Sequence, residues 1–198
     1  MTQQPRDPQK ALGEALGWHR ALDRPELLAA PTAAALQALA DSSHLAGELA
    51  GQALVCEIDP ADSDTDTLNS RYELDPEATG NCVLVAGKRS GEQRVAACVV
   101  RAPDFADVNH VVKQLLDVRK ASFLPVEEAV ERAGMEYGGI TPVGLPSGWR
   151  VLIDAEVAHR ETVLIGAGVR RTKLLVPGEL LAALPGAEVI EGLGKRAA

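Results

Sequence analysis

The stretch Gly134 to Pro146, GMEYGGITPVGLP, limits the fold more than any other. It places four of the chain's 18 glycines (134, 138, 139, 144) and two of its 12 prolines (142, 146) within thirteen residues. No regular helix or strand tolerates that mixture, because glycine opens φ > 0 and close backbone approach while proline bars a helix and stiffens its neighbour. The stretch therefore reads as an irregular loop, set between an expected helix from Val126 to Ala133 and an expected strand from Val151 to Ile153. Paired Gly138-Gly139 amides suit a carbonyl oxygen or an oxyanion; the same spacing also suits a tight connection with no ligand.

At 198 residues the chain has room for one domain with a proper core. Aromatic residues are only 3%, so the core must be built from Leu, Val, Ala and Ile. That scarcity argues against a base-stacking single-strand binder. No apolar run approaches the roughly 20 residues needed to cross a bilayer, and MTQQPRDPQK has no apolar signal segment, so a cytoplasmic protein with no membrane partner is expected. Cys56, Cys82 and Cys98 each sit in an apolar run and read as reduced core residues. His19, His44, His110 and His159 lack zinc-ligand spacing.

The net charge of −8 is uneven: residues 1–80 carry 5 Lys+Arg against 14 Asp+Glu, and residues 81–126 carry 7 against 4. The acidic total argues against a general nucleic-acid binder, yet leaves room for a small basic face. Within the acidic half, Asp62, Asp64, Asp66 and Glu73 fall at positions one, three, five and twelve of a calcium-loop pattern. Thr67 stands where that loop needs glycine, and a strand precedes it, so Asp64 or Asp66 capping a helix through Tyr72 is the plainer reading.

In chain order, Asp7-Pro8 opens a first helix and Pro31 a second, with LAGELAG (45–51) as a connector. Residues 1–30 read as a helical appendage that packs on the domain or on a partner, 31–192 as the domain and 193–198 as a tail. Gln52 to Ile58 is a buried strand. Cys82–Ala86 and Arg94–Arg101 form a hairpin around GKRSGE, and Asp107 to Leu116 is a helix. Pro125 opens another helix, Val151–Asp154 and Thr162–Gly166 are strands, and Arg170-Arg-Thr-Lys-Leu-Leu leads into a further strand. Pro177–Leu184 is a short helix and Glu188–Ile190 a last strand. The irregular alternation predicts α+β with one mixed, mostly antiparallel central sheet flanked by helices.

In that order the motifs resemble the YbaK/ProX family of aminoacyl-tRNA deacylases and synthetase-associated editing domains. DTDTLNSRY (64–72), the hairpin NCVLVAGKRSGEQRVAACVV, LDVRKASF with PVEEAVERAG, MEYGGITPVGLP, VLIDAEV and VLIGAGVRRTKLLV carry the likeness, over roughly residues 31–192. The resemblance implies a trans-acting enzyme that hydrolyses the ester of mischarged tRNA, with no metal or organic cofactor and tRNA as partner; a homo-oligomer is compatible with it. It points to Asn81, Gly138, Gly139 and Asp154 around the reacting ester, to Thr141 and Pro142 beside the substrate, and to Arg119, Lys120 and Lys173 on tRNA phosphates. Family members with demonstrated chemistry place a lysine where this chain has Asn81. Asparagine offers neutral hydrogen bonds in place of a charge, so the alternative is a module that binds an aminoacyl end, an amino acid or a nucleotide-like ligand without cleaving it.

Overall fold

A computed structural model describes residues 5–42 and 45–196. Asp7 caps the first helix, α1 (Pro8–Ala15), by accepting from the Lys10 N–H. Strand β1 (His19–Arg20) and helices α2 (Ala30–Ala40) and α3 (Leu45–Ala50) follow, so part of the expected connector LAGELAG is helical. Next come β2 (Leu54–Glu57) and α4 (Thr65–Tyr72). Asp64 caps α4 through Thr67 N–H while Asp62 pairs with Arg71, so the acidic stretch is spent on a helix start. Among the described residues no three His, Cys, Asp or Glu side chains gather as a metal site; His44 lies outside them.

The long hairpin is β3 (Gly80–Arg89) and β4 (Glu92–Arg101). Ser90 and Gly91 form its two-residue tip, both at positive φ (51° and 88°), the geometry that matches strand twist. Then come β5 (Asp104–Ala106), a π-helical turn at Val108–Val112 where a plain helix was expected, and short α5 (Lys113–Leu115). Strand β6 (Ala121–Phe123) and α6 (Val126–Ala133) lead to Gly134, whose left-handed φ of 65° ends the helix. Beyond the glycine-rich loop lie β7 (Arg150–Asp154), α7 (Ala155–Ala158), β8 (Val163–Gly166), β9 (Thr172–Val176), α8 (Gly178–Ala182), β10 (Ala187–Ile190) and β11 (Gly194–Arg196).

The fold is α+β, with two principal sheets where one central sheet was expected. The first runs β1-β2-β9-β8, all antiparallel; the second runs β10-β7-β4-β3-β6, parallel at β10–β7–β4 and antiparallel at β4–β3–β6. A bridge from Thr79 to Leu164 links them. Val99 and Ile153 of the second sheet pack in one buried cluster with Val55, Ile165 and Leu174 of the first. Truncating Ile153, Ile165 or Leu174 to alanine costs about 2–5 kcal/mol.

Both chain ends belong to this packing. Leu12 is buried beside Cys56 and Leu164, and β1 pairs with β2, so the described part of the expected appendage is built into the domain. Leu193 is fully buried and β11 pairs with β5, so residues 194–196 are a strand where a tail was expected. Residues 1–4 and 197–198 lie outside the described residues.

Candidate functional site

Asn81, Gly138 and Lys173 meet at one cleft of about 350 Å³, together with Ser63, Asp64 and Thr65. They arrive from separate elements. Asn81 is the second residue of β3, opposite Val100 of β4. Lys173 is the second residue of β9 and lies between Cys56 of β2 and Gly166 of β8. Gly138 comes from the glycine-rich loop, held at φ 84°.

The loop is clamped onto the turn after β8. Glu136 N–H donates to Gly168 O at 2.8 Å, Gly168 N–H donates to Gly139 O at 2.7 Å, and the Glu136 carboxylate accepts from Arg170 N–H at 2.7 Å. At Gly139 a side chain has no room, since a Cβ there would stand 2.6 Å from the Val169 carbonyl carbon.

Three of the residues that line the cleft carry donors. Thr65 Oγ1 donates to Asn81 Oδ1 at 2.7 Å, which turns the Asn81 Nδ2 amide toward other partners. Among the described residues the Gly138 N–H has no hydrogen-bond acceptor. Lys173 is 5% exposed and its Nζ donates to Ser63 O at 2.9 Å, leaving further N–H bonds to spend. Burial lowers the Lys173 pKa to about 8, against the pull of the Asp64 carboxylate and Cys56. Burial also pushes Cys56 and Cys98 up to about 12 and raises Cys82, so these thiols stay protonated near neutrality and are poor nucleophiles.

Other expected site residues stand elsewhere. Asp154 is buried and fully used: Oδ1 accepts from Glu156 N–H at 2.8 Å, capping α7, and Oδ2 accepts from Gly194 N–H at 2.6 Å. It is a structural cap and does not line the cleft. The Gly139 N–H is taken by Glu136 O, so of the glycine pair only Gly138 offers a donor. Thr141 is fully buried, its N–H on Met135 Sδ and its hydroxyl unpartnered, away from the cleft lining. Pro142 lines a different, apolar cavity of about 470 Å³ with Leu39, Leu145 and Trp149. Arg119 and Lys120 are exposed; Arg119 borders a hollow at the hairpin tip with Lys88 and Arg89. Lys173 is thus the one expected phosphate ligand that is an interior amine.

Sequence reasoning missed Ser63, Thr65 and Tyr137. A signal was present for Thr65, which follows the α4 cap Asp64 directly, so a helix start aims it back toward the hairpin. A second hollow of about 240 Å³ shares Asp64, Thr65, Asn81 and Val83 with the cleft and extends to Phe105 and Phe123.

Residues 59–184 match the family model described as an aminoacyl-tRNA editing domain. Solved structures share the fold. A proposed trans-editing enzyme for prolyl-tRNA synthetase is 19% identical, with a TM-score of 0.65, over 84% of this chain and 98% of its own. A hypothetical protein is 20% identical, with a TM-score of 0.62, over 71% of this chain and 90% of its own. A scaffold protein used for epitope grafting is 17% identical, with a TM-score of 0.67, over 85% and 97%. Among the described residues no helix is long and apolar enough to cross a membrane.

Proposed function

The chain belongs to the aminoacyl-tRNA editing domain family, and we propose that it hydrolyses, in trans, the ester joining a mischarged amino acid to its tRNA. One observation carries the reading: the Lys173 amine, the Asn81 amide and the Gly138 N–H border the same cleft. Acyl transfer builds negative charge on the carbonyl oxygen, and preorganised donors in a partly dry site are what stabilise it. At neutral pH an amine with a pKa of about 8 is mostly ammonium, so Lys173 supplies the positive charge that Asn81 lacks.

Water, oriented by a hydroxyl of the substrate, adds to the ester carbonyl carbon and gives up a proton. The oxyanion is held by the three donors. Collapse then breaks the C–O bond to the ribose, whose oxygen leaves with a proton, and free amino acid and uncharged tRNA result. Asp64 is a cleft carboxylate, with Oδ1 occupied by Thr67. It balances the Lys173 charge and suits the amino acid's ammonium group. Arg119 and Lys120, exposed beside the hairpin tip, suit tRNA phosphates. A tRNA substrate sets this work in the cytoplasm.

The test is a deacylation assay over a panel of mischarged tRNAs with wild type, Asn81→Ala and Lys173→Met. Hydrolysis of one class, lost in both variants, is expected. Tight binding without hydrolysis of any member would overturn the hydrolase and leave a binding module.

A further inference from the structure

Aromatic side chains are scarce in this chain, yet three of the six, Phe105, Phe123 and Tyr137, are exposed. All three border the cleft or its adjoining hollow: Tyr137 the cleft, Phe105 and Phe123 the hollow. Phe105 is 68% and Phe123 64% exposed. Single exposed apolar residues need no explanation, but rings gathered at one groove mark a binding surface. Phe123 pairs directly with Val85 of β3, so it stands on the same face of the sheet as Val83 and Asn81.

The groove has a direction. Strand β6 is the edge of its sheet, and the residues just before it are Lys120 and Arg119. Arg119 borders the hairpin-tip hollow with Lys88 and Arg89. Asn81 and Lys88 lie seven residues apart on β3, about 23 Å in extended geometry. Among the described residues Lys88, Arg119 and Lys120 have no carboxylate within 4.0 Å, whereas Arg71, Arg101, Arg150 and Arg196 are each paired with one. The opposite end holds Asp64 and Asp66, while Asp104 beneath it is buried and paired with Arg101 and Arg196. That end repels phosphate and suits neutral or cationic groups; the tip attracts phosphate.

Resting on the hydrolase reading above, we propose that this groove is the track for the unpaired 3′ end of the RNA. The terminal base stacks on Phe105 and Phe123, the ester lies at Asn81, and the preceding phosphates meet Lys120, Arg119 and Lys88. Stacking on aromatic rings is tolerant of base identity, because every base has a π-face.

The experiment measures fluorescence anisotropy of an uncharged RNA hairpin with a 5′ fluorescein and a single-stranded ACCA 3′ end. A second probe lacks only the terminal base. Proteins are wild type, Phe105→Ala/Phe123→Ala, Phe105→Trp, and Arg119→Glu/Lys120→Glu. The double alanine variant is expected to weaken the first probe about tenfold and to leave the abasic probe unchanged, while Phe105→Trp holds wild-type affinity. Arg119→Glu/Lys120→Glu is expected to weaken both probes alike and to flatten the salt dependence.

Unchanged affinity in the double alanine variant, or an equal loss on the abasic probe, overturns the stacking site. Hydrolysis is scored separately on mischarged tRNA. Wild-type hydrolysis with no effect of the phenylalanines overturns the track and keeps the hydrolase. Phenylalanine-dependent binding without hydrolysis keeps the track and overturns the hydrolase.

Discussion

Thr65 Oγ1 donates to Asn81 Oδ1 at 2.7 Å, across a sequence separation of 16 residues. That bond fixes which end of the Asn81 amide faces the substrate. If Asn81 serves as a donor, removing the hydroxyl frees the amide to rotate without removing it. Thr65→Val is expected to lower kcat about tenfold, the scale of one modest hydrogen bond, with KM nearly unchanged. Thr65→Ser restores the donor and the rate. Steady-state deacylation kinetics on the three proteins check this; equal kcat in wild type and Thr65→Val would show that Asn81 needs no orienting partner.

Lys173 links activity to pH. Its pKa of about 8 lies below the ordinary lysine value of 10.5 because burial disfavours the ammonium form. If the ammonium is the working form, kcat/KM falls as pH rises through about 8. Asp64→Asn keeps a good helix cap but removes the charge that raises this pKa. The descending limb of the pH–rate profile is therefore expected to move to lower pH in Asp64→Asn. A limb that stays in place would separate the titration from this lysine.

The same lysine makes a stability prediction. Below about pH 8 the amine is charged in both folded and unfolded chains, and the full cost of its burial is present. Between about 8 and 10.5 the unfolded chain holds the proton that the folded one has lost, so stability rises with pH from this group. Lys173→Met is expected to gain roughly 1–3 kcal/mol at pH 7, less the lost bond to Ser63 O, and distinctly less at pH 10. Thermal melts at the two pH values measure the difference; a destabilised variant at pH 7 would contradict it.

How far the site was legible depended on whether its signals were local. The cap at Asp64, the Ser90-Gly91 hairpin tip and the Gly134 helix stop were readable because each is set by a few neighbouring residues. The inward direction of Lys173 was not. Every β9 residue from Thr172 to Val176 is buried, so the polar–apolar alternation that tells inside from outside is absent. Asp154 and the Gly139 amide were read as reactive because their partners, Gly194 and Glu136, are fixed only by the folded chain. The two-sheet arrangement was hidden for the same reason, since strand partners such as β2 and β9 lie more than a hundred residues apart.

Asp154 offers a control that separates structure from chemistry. Its two oxygens tie α7 to the start of β11. Asp154→Ala leaves two part-buried N–H groups without their acceptor and is expected to cost about 1–3 kcal/mol. Deacylation per folded molecule should be unchanged at a temperature where the variant remains folded. Urea unfolding paired with kinetics checks both halves; a large rate loss in a fully folded variant would return Asp154 to the reaction.

Gly138 and Gly139 are adjacent but are expected to fail differently. An alanine at 139 places Cβ 2.6 Å from the Val169 carbonyl carbon, so backbone must move, at a cost of about 1–3 kcal/mol. An alanine at 138 comes closest to Ser63 Oγ, at 3.2 Å, with only ordinary contacts beyond it, but must hold φ 84°, a left-handed strain of about 1 kcal/mol. Relieving that strain rotates the Gly138 N–H out of the cleft. Gly139→Ala is therefore expected to lower the urea midpoint more, and Gly138→Ala to lower kcat more at equal folded fraction. The opposite ranking would mean that the oxyanion is held by the Asn81 amide and the Lys173 ammonium without the Gly138 N–H.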